Sequence, residues 1–295
     1  MKEYYIKSKY NMINVLEGTD ISDCNGIILF VHGLGTHMQY VYNSLDDIDN
    51  KNKYFTQFNY KVFGFEFHGH GKSHGAKCMV NNFDDLVEDL SNVIKLIETN
   101  YPNKKIILVG ESMGCSVIIK YTIDKFNDIG GIILLSPMCG INDNLKPSKF
   151  MINVLELTSW VIPWLPYKMN KTILDMSIEN HEYKTQYLNN PYTFNSNYPI
   201  CTLREIYNTS ILMPTLALKI DTPTLIIHGK MDNVTNPDTS IEFYNNISNT
   251  INKKLIIIDN KGHNLLVPKT YVDKIPNQIY EEILSWADGA CKYSL

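Results

Sequence analysis

The stretch KIILVGESMG, residues 105–114, decides the fold. Its apolar, β-branched beginning at 105–109 predicts a buried strand, and SVIIKY at 116–121 predicts the helix that follows. Between them lies the pattern Gly-x-Ser-x-Gly, in which small residues on both sides of a serine relieve crowding at a strained turn. We therefore expect Ser112 to stand at a sharp strand-to-helix turn, with its hydroxyl held clear of the sheet.

That position suits Ser112 for nucleophilic attack. Its hydroxyl can meet a histidine on one side and a substrate carbonyl on the other. The N–H of Met113 lies at the helix N-terminus, where negative charge is stabilised. An isolated match to this short pattern is common by chance and can be an ordinary turn. The strand before it and the helix after it favour the nucleophile.

Composition favours a large α/β protein that does not bind nucleic acid. The 295 residues are 44% hydrophobic and carry a net charge of −4, without a run of lysine or arginine. The six cysteines are scattered without Cys-x-x-Cys spacing, which suggests neither a zinc site nor a disulfide framework. The sequence contains no apolar stretch typical of a signal peptide or a membrane-spanning helix, so we expect a reducing, cytoplasmic compartment.

Alternating strand and helix patterns predict a mostly parallel central sheet flanked by helices. Near-continuous apolar runs, typical of parallel strands covered on both faces, lie at Gly26–Val31, Lys61–Phe67, Gly130–Leu135, Thr224–His228 and Lys254–Ile258. Amphipathic helices are predicted at Asp84–Thr99, with two acids in its first turn, and at Ile275–Trp286 near the end. Two short runs, Tyr4–Lys7 and Met12–Leu16, predict an antiparallel start to the sheet.

A glycine-flanked loop follows the predicted strand Gly26–Val31 and reads His32-Gly33-Leu34-Gly35. Such a loop lets a backbone N–H approach a ligand closely, so the N–H of Leu34 is a candidate second oxyanion donor beside that of Met113. The alternative is that His32 and the glycines only shape a tight turn. The loop's combination with the Ser112 motif favours the functional interpretation.

A second histidine-containing loop, His68-Gly69-His70-Gly71, follows the predicted strand Lys61–Phe67. Two histidines separated by one residue can indicate a metal site. No third ligand with suitable spacing lies nearby in the sequence, so we predict a structural loop that packs beside the one at 32–35.

The sequence pattern changes between residues 146 and 219. This segment is rich in Met, Leu, Tyr and Pro and has no strand of the earlier type. We predict a helical lid, or cap, inserted into a hydrolase core formed by 1–145 and 220–295, where it would cover the strands' carboxyl ends and exclude water. Trp160 and Trp164 lie in its most apolar part; they either form the lid's own core or face the pocket mouth or a lipid surface.

Two further loops contain the candidate acid and base that would act with Ser112. Asp232 follows the predicted strand Thr224–His228, where an acid is well placed to accept a hydrogen bond from a catalytic histidine. His263 lies in the loop after Lys254–Ile258, at the same edge of the sheet. The order Ser112, Asp232, His263 leaves room for two strands and the lid between the first two.

Three other acids compete with Asp232. Asp221 precedes its strand and so lies at the wrong end of the sheet. Asp238 is better explained as a first-turn acid of a helix that begins at Pro237. Asp259 directly follows the last strand and lies too close in sequence to the loop that contains His263. Asp232 is therefore the preferred partner.

Five motifs together resemble the monoacylglycerol lipase and lysophospholipase branch of the α/β-hydrolases, with its relatives of the serine aminopeptidase S33 type. They are HGLG at 32–35, GHGKS at 69–73, GESMG at 110–114, HGKMD at 228–232 and KGH at 261–263. The resemblance runs from about Gly26 to Trp286 and implies an α/β-hydrolase fold. It also implies roles for five residues: Ser112 as nucleophile, His263 as base, Asp232 as its orienter, and the backbone N–H groups of Leu34 and Met113 as oxyanion donors.

The chain departs from that family's usual pattern at three positions. Glu66 stands where the family generally has aspartate, Cys115 replaces a common glycine after the serine motif, and Thr36 stands where glutamate is frequent. None of the three belongs to the catalytic set. The lid, where chain-length selection would be set, carries no motif that identifies the substrate.

We therefore expect a serine esterase that cleaves lipid-like carboxylic esters, most simply a monoacylglycerol or a lysophospholipid, through an acyl-enzyme. This chemistry needs no cofactor and no metal. The expected partner is a small acyl ester rather than a nucleic acid. The lid is the segment that would bring a cytoplasmic protein into peripheral contact with a membrane.

Three alternatives remain open. A general carboxylesterase would use the same residues on shorter esters. A peptidase of the S33 type would need acids in the lid to hold a substrate's amino terminus, for which Glu179, Glu182 and Glu205 are the candidates. A non-catalytic binding protein on this scaffold would be expected to lack a member of the catalytic set, and this chain keeps Ser112, Asp232 and His263.

Overall fold

A mostly parallel, eight-stranded sheet runs through the described part of the chain. The computed structural model describes residues 2–9, 11–18, 21, 23–38, 55–124, 129–168, 173–249, 251–267 and 275–292. The strands are β1 (Lys2–Lys7), β2 (Met12–Glu17), β3 (Gly26–Val31), β4 (Tyr60–Phe65), β5 (Ile106–Glu111), β6 (Ile129–Leu135), β7 (Thr224–Gly229) and β8 (Lys253–Ile258). Their spatial order is β1-β2-β4-β3-β5-β6-β7-β8. Strand β2 pairs antiparallel with β1 and β4, and the remaining pairs are parallel, as predicted.

Helices cover both faces of this sheet. They are α1 (Asp84–Asn100), α2 (Met113–Asp124), α3 (Lys149–Val161), α4 (Ile173–Ser177), α5 (His181–Asn189), α6 (Ile200–Leu216), α7 (Pro237–Asn246) and α8 (Ile275–Lys292). Alternate residues of β3 enter two separate cores: Leu29 packs with residues of α1, α2 and α7, whereas Phe30 packs with residues of α8. Strand β3 is buried along its whole length, which explains why its sequence is apolar without alternation.

The two predicted amphipathic helices are confirmed. Helix α1 buries its apolar face in one core and begins with Asp84 and Asp85, whose charges suit a helix N-terminus. Helix α8 buries Ile279 and Ile283 in the other core, with Trp286 packed against them. The side chain of Ile275 lies outside the described residues. Helices α1 and α8 therefore pack on opposite faces of the sheet.

The segment between 146 and 219 is mostly helical where it is described, as predicted. It contains α3 to α6, and residues 169–172 lie outside the description. Helix α6 is tied to the core, since the Thr202 hydroxyl donates to the Cys78 carbonyl at 2.7 Å and the Phe83 N–H donates to Glu205 at 2.8 Å. Helix α3 packs on α6. The action of this segment as a lid, and the domain boundaries drawn around it, remain predictions.

The carboxyl ends of the parallel strands define one edge of the sheet. Strand β3 leads there into the loop that begins at His32, β5 into Ser112, β7 into the turn that contains Asp232, and β8 into the loop that contains His263. Side chains far apart in sequence therefore meet at this edge, where ligands bind in open α/β sheets. None of the described helices is both long and apolar enough to cross a membrane.

Candidate active site

Ser112 occupies a strained turn between β5 and α2. Its φ is +54°, a left-handed conformation that costs a non-glycine residue about 1–3 kcal/mol. The flanking glycines make this turn possible. A Cβ atom at Gly114 would lie 2.3 Å from the Val31 carbonyl oxygen, and one at Gly110 would lie 2.7 Å from a methyl group of Ile118. Helix α2 therefore approaches β3 so closely that only glycine fits at position 114, and it approaches β5 so closely that a Cβ atom at position 110 would also lie 2.9 Å from the backbone nitrogen of Cys115.

His263 and Asp232 form a short buried pair. The Nδ1 atom of His263 lies 2.7 Å from Oδ2 of Asp232, and the Ser136 hydroxyl donates to the His263 carbonyl at 2.7 Å, which fixes the backbone of the loop. Burial would lower the pKa of His263, but the charge and hydrogen bond of Asp232 and, less strongly, the charge of Glu111 raise that pKa above its ordinary value. The Asp232 carboxylate therefore stabilises the imidazolium form of His263.

The Asp232 carboxylate accepts hydrogen bonds on both oxygens. Oδ1 accepts the backbone N–H groups of Val234 and Thr235 at 2.7 and 3.0 Å. Oδ2 faces the Thr235 hydroxyl at 2.7 Å and Nε2 of His228 at 2.9 Å, in addition to His263. Burial alone would raise the pKa of Asp232, but the charge of His263 and the hydrogen bonds from the two histidines hold that pKa well below its ordinary value. Asp232 is therefore a carboxylate.

The loop at 32–36 presents a fixed peptide plane to Ser112. Phe67 N–H donates to Nε2 of His32 at 3.1 Å, so the ring's proton is on Nδ1, which donates to the Gly33 carbonyl at 2.7 Å. Burial lowers the pKa of His32 to about 3, which keeps the ring neutral. The Thr36 hydroxyl also donates to the Gly33 carbonyl, at 3.0 Å.

These contacts orient the N–H of Leu34. In a planar trans peptide the N–H points opposite to the preceding carbonyl, so anchoring the Gly33 carbonyl fixes the direction of the Leu34 N–H. The loop lies directly against the serine, since a Cβ atom at Gly33 would be 3.2 Å from Cβ of Ser112. Met113 is the first residue of α2, where a backbone N–H has no partner within the helix. The two predicted oxyanion donors therefore flank Ser112.

A cavity of about 400 Å³ opens over these groups. Its walls include Leu34, Ser112, Met113 and His263, so four of the five predicted site residues border one space. The other walls are mainly apolar, and the residues that supply them from the core and from the 146–219 segment are Met138, Ile141, Leu145, Met151, Leu155, Ile173, Leu203, Ile206 and Val234. An acyl chain is the kind of group that such walls accommodate.

The competing acids lie elsewhere. Asp259 forms an exposed ion pair with Lys230 at 2.9 Å. Asp238 lies in the first turn of α7, which Asn236 caps, as predicted. Asp221 is exposed before β7. Of the four candidate acids, the structure brings Asp232 to His263.

The second histidine loop packs against the first, as predicted. The ring of His70 lies 5.3 Å from that of His32, and His68 pairs with Asp89 at 2.7 Å. Among the residues that the structure describes, no three His, Cys, Asp or Glu side chains are grouped closely enough to hold a metal ion. All six cysteines are free thiols.

The departures from the usual family pattern make local contacts. Glu66 is buried, and its carboxylate accepts the backbone N–H of Lys72 at 2.6 Å and that of Met38 at 3.2 Å. Cys115 is buried, with its sulfur 3.4 Å from the Leu135 carbonyl. Neither side chain lines the cavity.

Sequence reasoning missed His228 and Thr235 as contacts of Asp232. Both lie near it in the chain, and the spacing of four residues between His228 and Asp232 is a signal that these side chains share a turn. The contact of Thr36 with the Gly33 carbonyl was also missed, because the residue type differs from the usual glutamate.

Comparison with known proteins gives consistent matches. The family described as serine aminopeptidase S33 matches residues 22–269. A monoglyceride lipase homolog of Monkeypox virus is 27% identical over 76% of this chain and 78% of its own length. Caffeoylshikimate esterase of Arabidopsis thaliana is 23% identical over 92% of this chain and 80% of its own. The structure of a soluble variant of Saccharomyces cerevisiae monoglyceride lipase with a substrate analog has a TM-score of 0.82 at 17% identity, covering 97% of this chain and 94% of that one.

Proposed function

The chain belongs to the serine aminopeptidase S33 family of α/β-hydrolases, and on that premise we propose that it hydrolyses carboxylic esters of lipid-like substrates, a monoacylglycerol or a lysophospholipid. One observation carries this proposal: Ser112, His263 and two backbone N–H donors border a single cavity whose other walls are mainly apolar. The relatives named as monoglyceride lipases support the same substrate class.

The proposed reaction passes through an acyl-enzyme. His263 accepts the proton of the Ser112 hydroxyl as its oxygen attacks the ester carbonyl, while Asp232 holds the Nδ1–H tautomer and stabilises the imidazolium. The N–H groups of Leu34 and Met113 donate to the oxyanion. The alcohol leaves with the proton from His263. Water then attacks the acyl carbonyl while His263 accepts its proton, and His263 returns that proton to the Ser112 oxygen as the acid is released.

The three lid acids give the peptidase alternative no support. Glu205 is paired with Arg204 at 2.8 Å and also accepts the Phe83 N–H. Glu179 lies beside Gly262, and Glu182 lies in the first turn of α5. None of these carboxylates is among the described residues that line the cavity, so none is available there for a substrate's amino terminus.

A substrate panel tests the proposed function. The panel contains long-chain monoacylglycerols, lysophospholipids, short p-nitrophenyl esters and aminoacyl amides, and release of acid is measured for each. We expect the highest kcat/KM on a long-chain monoacylglycerol or lysophospholipid. Activity confined to short esters would instead identify a general carboxylesterase. Activity confined to the amides would identify a peptidase, and no reaction with any substrate or with a fluorophosphonate probe would identify a binding protein.

The pH dependence of kcat/KM is expected to follow the titration of His263. The imidazole is a base only when neutral, and its pKa is raised above the ordinary value of 6.5. Activity should therefore reach a plateau at high pH and fall as the pH decreases through a midpoint above 6.5. Initial rates on a non-ionising ester measure this, with circular dichroism at each pH to exclude unfolding. A midpoint below 6.5 would contradict the assignment of His263 as the base.

The segment between 146 and 219 is proposed to act as the lid and to contact a lipid surface. Helix α3 has two faces: Met151 and Leu155 border the cavity, whereas the outer face and the turn after it expose apolar side chains. The exposed fractions are 75% for Phe150, 73% for Leu157, 80% for Trp160, 75% for Val161 and 62% for Trp164. Tryptophan and leucine on one helix face suit the membrane interface, and an ester substrate in that membrane would be next to the cavity.

Replacing Leu157 and Trp160 together with serine is expected to weaken vesicle binding about tenfold or more, because two apolar side chains no longer enter the lipid. Co-sedimentation with phosphatidylcholine vesicles measures the partition coefficient. The activity on a soluble short ester should stay unchanged. Phe58→Ser is the matched control, since Phe58 is an exposed aromatic residue just before β4, at the opposite edge of the sheet. Equal binding by the double variant and the wild type would contradict this proposal.

A further inference from the structure

A second histidine shares the carboxylate oxygen that His263 uses. Nε2 of His228 lies 2.9 Å from Oδ2 of Asp232, and Nδ1 of His263 lies 2.7 Å from the same atom. His228 is fully buried, at the end of β7. Its other ring nitrogen, Nδ1, lies 2.8 Å from the Ser240 hydroxyl of α7. Four side chains therefore form a continuous, buried row of hydrogen-bonded groups, which runs from Ser240 through His228 and Asp232 to His263.

The chemistry of the carboxylate fixes the proton positions in this row. Asp232 is ionised and can only accept hydrogen bonds, so Nε2 of His228 must carry a proton and donate it. Nδ1 of the same ring lies 2.8 Å from the Ser240 hydroxyl, which is the second contact that holds the ring. The Thr235 hydroxyl also donates to Oδ2, at 2.7 Å. Oδ2 thus receives three donors, of which His263 is one.

His228 is not itself placed to act as the base. It does not border the cavity, whereas His263 does. Its ring is held at both nitrogens by groups of the protein interior. Any effect of His228 on the reaction must therefore pass through Asp232.

We propose that His228 is a positioning residue, which donates to Oδ2 of Asp232, fixes the rotation of that carboxylate towards His263 and offsets part of its charge. This inference rests on the proposed function, since it assumes that Asp232 and His263 serve Ser112. Without the His228 donor the carboxylate is held by fewer bonds, so the Nδ1–H of His263 is directed less well. The ester hydrolysis rate then falls without a loss of substrate affinity.

The same donor affects the protonation of His263. The titratable groups that act on His263 are Asp232 and Glu111, and those that act on Asp232 are His263 and His228. Loss of a donor to Oδ2 leaves the negative charge of Asp232 less compensated, so it stabilises the His263 imidazolium more strongly. The acid limb of the kcat/KM profile should therefore move to higher pH.

Two nearly isosteric variants separate donation from packing. Glutamine has an Nε2 donor the same number of bonds from Cα as in histidine, whereas methionine has similar length and volume but no donor. We expect His228→Gln to keep kcat within about threefold and to keep the wild-type acid limb. We expect His228→Met to lose about 10- to 100-fold in kcat with KM little changed, and its acid limb should move to higher pH. Wild-type kcat and pH profile in a folded methionine variant would overturn the proposal, as would equal losses in both variants.

Ser240→Ala is the variant that replaces His228→Met in this test if the methionine variant does not fold. This change keeps the ring but removes the Ser240 hydroxyl that lies against Nδ1, so the ring loses one of the two contacts that hold it and directs its Nε2–H less well at Oδ2 of Asp232. We expect a smaller loss of kcat, about threefold, with the same direction of pH shift; an unchanged kcat and profile would overturn the proposal. Labelling of the wild type by a fluorophosphonate probe is the reference measurement. An unlabelled, inactive wild type would reject the proposed function itself, whereas an active wild type with equally active variants would reject only the role of His228.

Discussion

Replacing Ser112 with alanine is expected to lower kcat for ester hydrolysis by about 10⁴- to 10⁶-fold. The variant lacks the oxygen that forms the acyl-enzyme, so the covalent route is lost altogether. The cavity and the two oxyanion donors remain, and substrate affinity should change little. Alanine also tolerates the turn no worse than serine does, so the fold is expected to persist. Released fatty acid and fluorophosphonate labelling measure the two consequences independently.

Ser116→Ala is the matched control for this substitution. Ser116 lies one turn further along α2, is buried, and donates to the Met138 carbonyl at 3.0 Å. Its loss is expected to cost about 1 kcal/mol of stability and to leave kcat near the wild-type value. Retained turnover in the Ser112 variant, or loss of labelling in the Ser116 variant alone, would contradict the assignment of the nucleophile.

The turn at Ser112 was predictable because its cause is local. A strand, a helix and two glycines lie within a few residues of one another, and the short distances from Gly110 and Gly114 to the neighbouring atoms show why no larger residue fits. The parallel sheet was predictable for a similar reason, since strands buried on both faces need continuous apolar runs.

The contact between Asp232 and His263 was predictable in part from topology. A residue that directly follows a parallel strand lies at the edge where ligands bind, and this criterion alone excluded Asp221. The criterion says nothing of hydrogen-bond partners. The contacts of Asp232 with His228 and Thr235 depend on rotamers and on how tightly the turn after β7 closes, which residue types do not specify.

The division of the residues in the segment between 146 and 219 into interior and surface ones could not be predicted. Val154–Leu165 is apolar on nearly every side, so helical periodicity does not distinguish its buried face from its exposed one. The direction of Leu155 towards the cavity and the exposure of Trp160 follow from the packing of α3 on α6. The anchoring of α6 to the loop before α1 through Thr202 and Glu205 determines that packing in turn.

Replacing Asp232 with asparagine is expected to lower kcat/KM by about 10³- to 10⁴-fold, because the amide forces His263 into the wrong tautomer. The amide nitrogen must replace one of the two oxygens. At the Oδ1 position it would face the backbone N–H groups of Val234 and Thr235, which cannot give up their protons. At the Oδ2 position it faces side chains that can rearrange. His263 then accepts at Nδ1 and carries its proton on Nε2, where it cannot accept the proton of Ser112.

Asp259→Asn provides the control for this prediction, because Asp259 is the competing acid nearest to His263 in the sequence and forms only an exposed pair with Lys230. Surface ion pairs contribute about 0–1 kcal/mol, so this variant should keep wild-type activity and stability. Steady-state kinetics of both variants on the preferred ester, with thermal melting of each, separates the two acids. A fall of less than tenfold in the Asp232 variant would mean that His263 reaches the active tautomer without the carboxylate. A fall in kcat/KM that is larger in the Asp259 variant than in the Asp232 variant would mean that Asp259 orients His263.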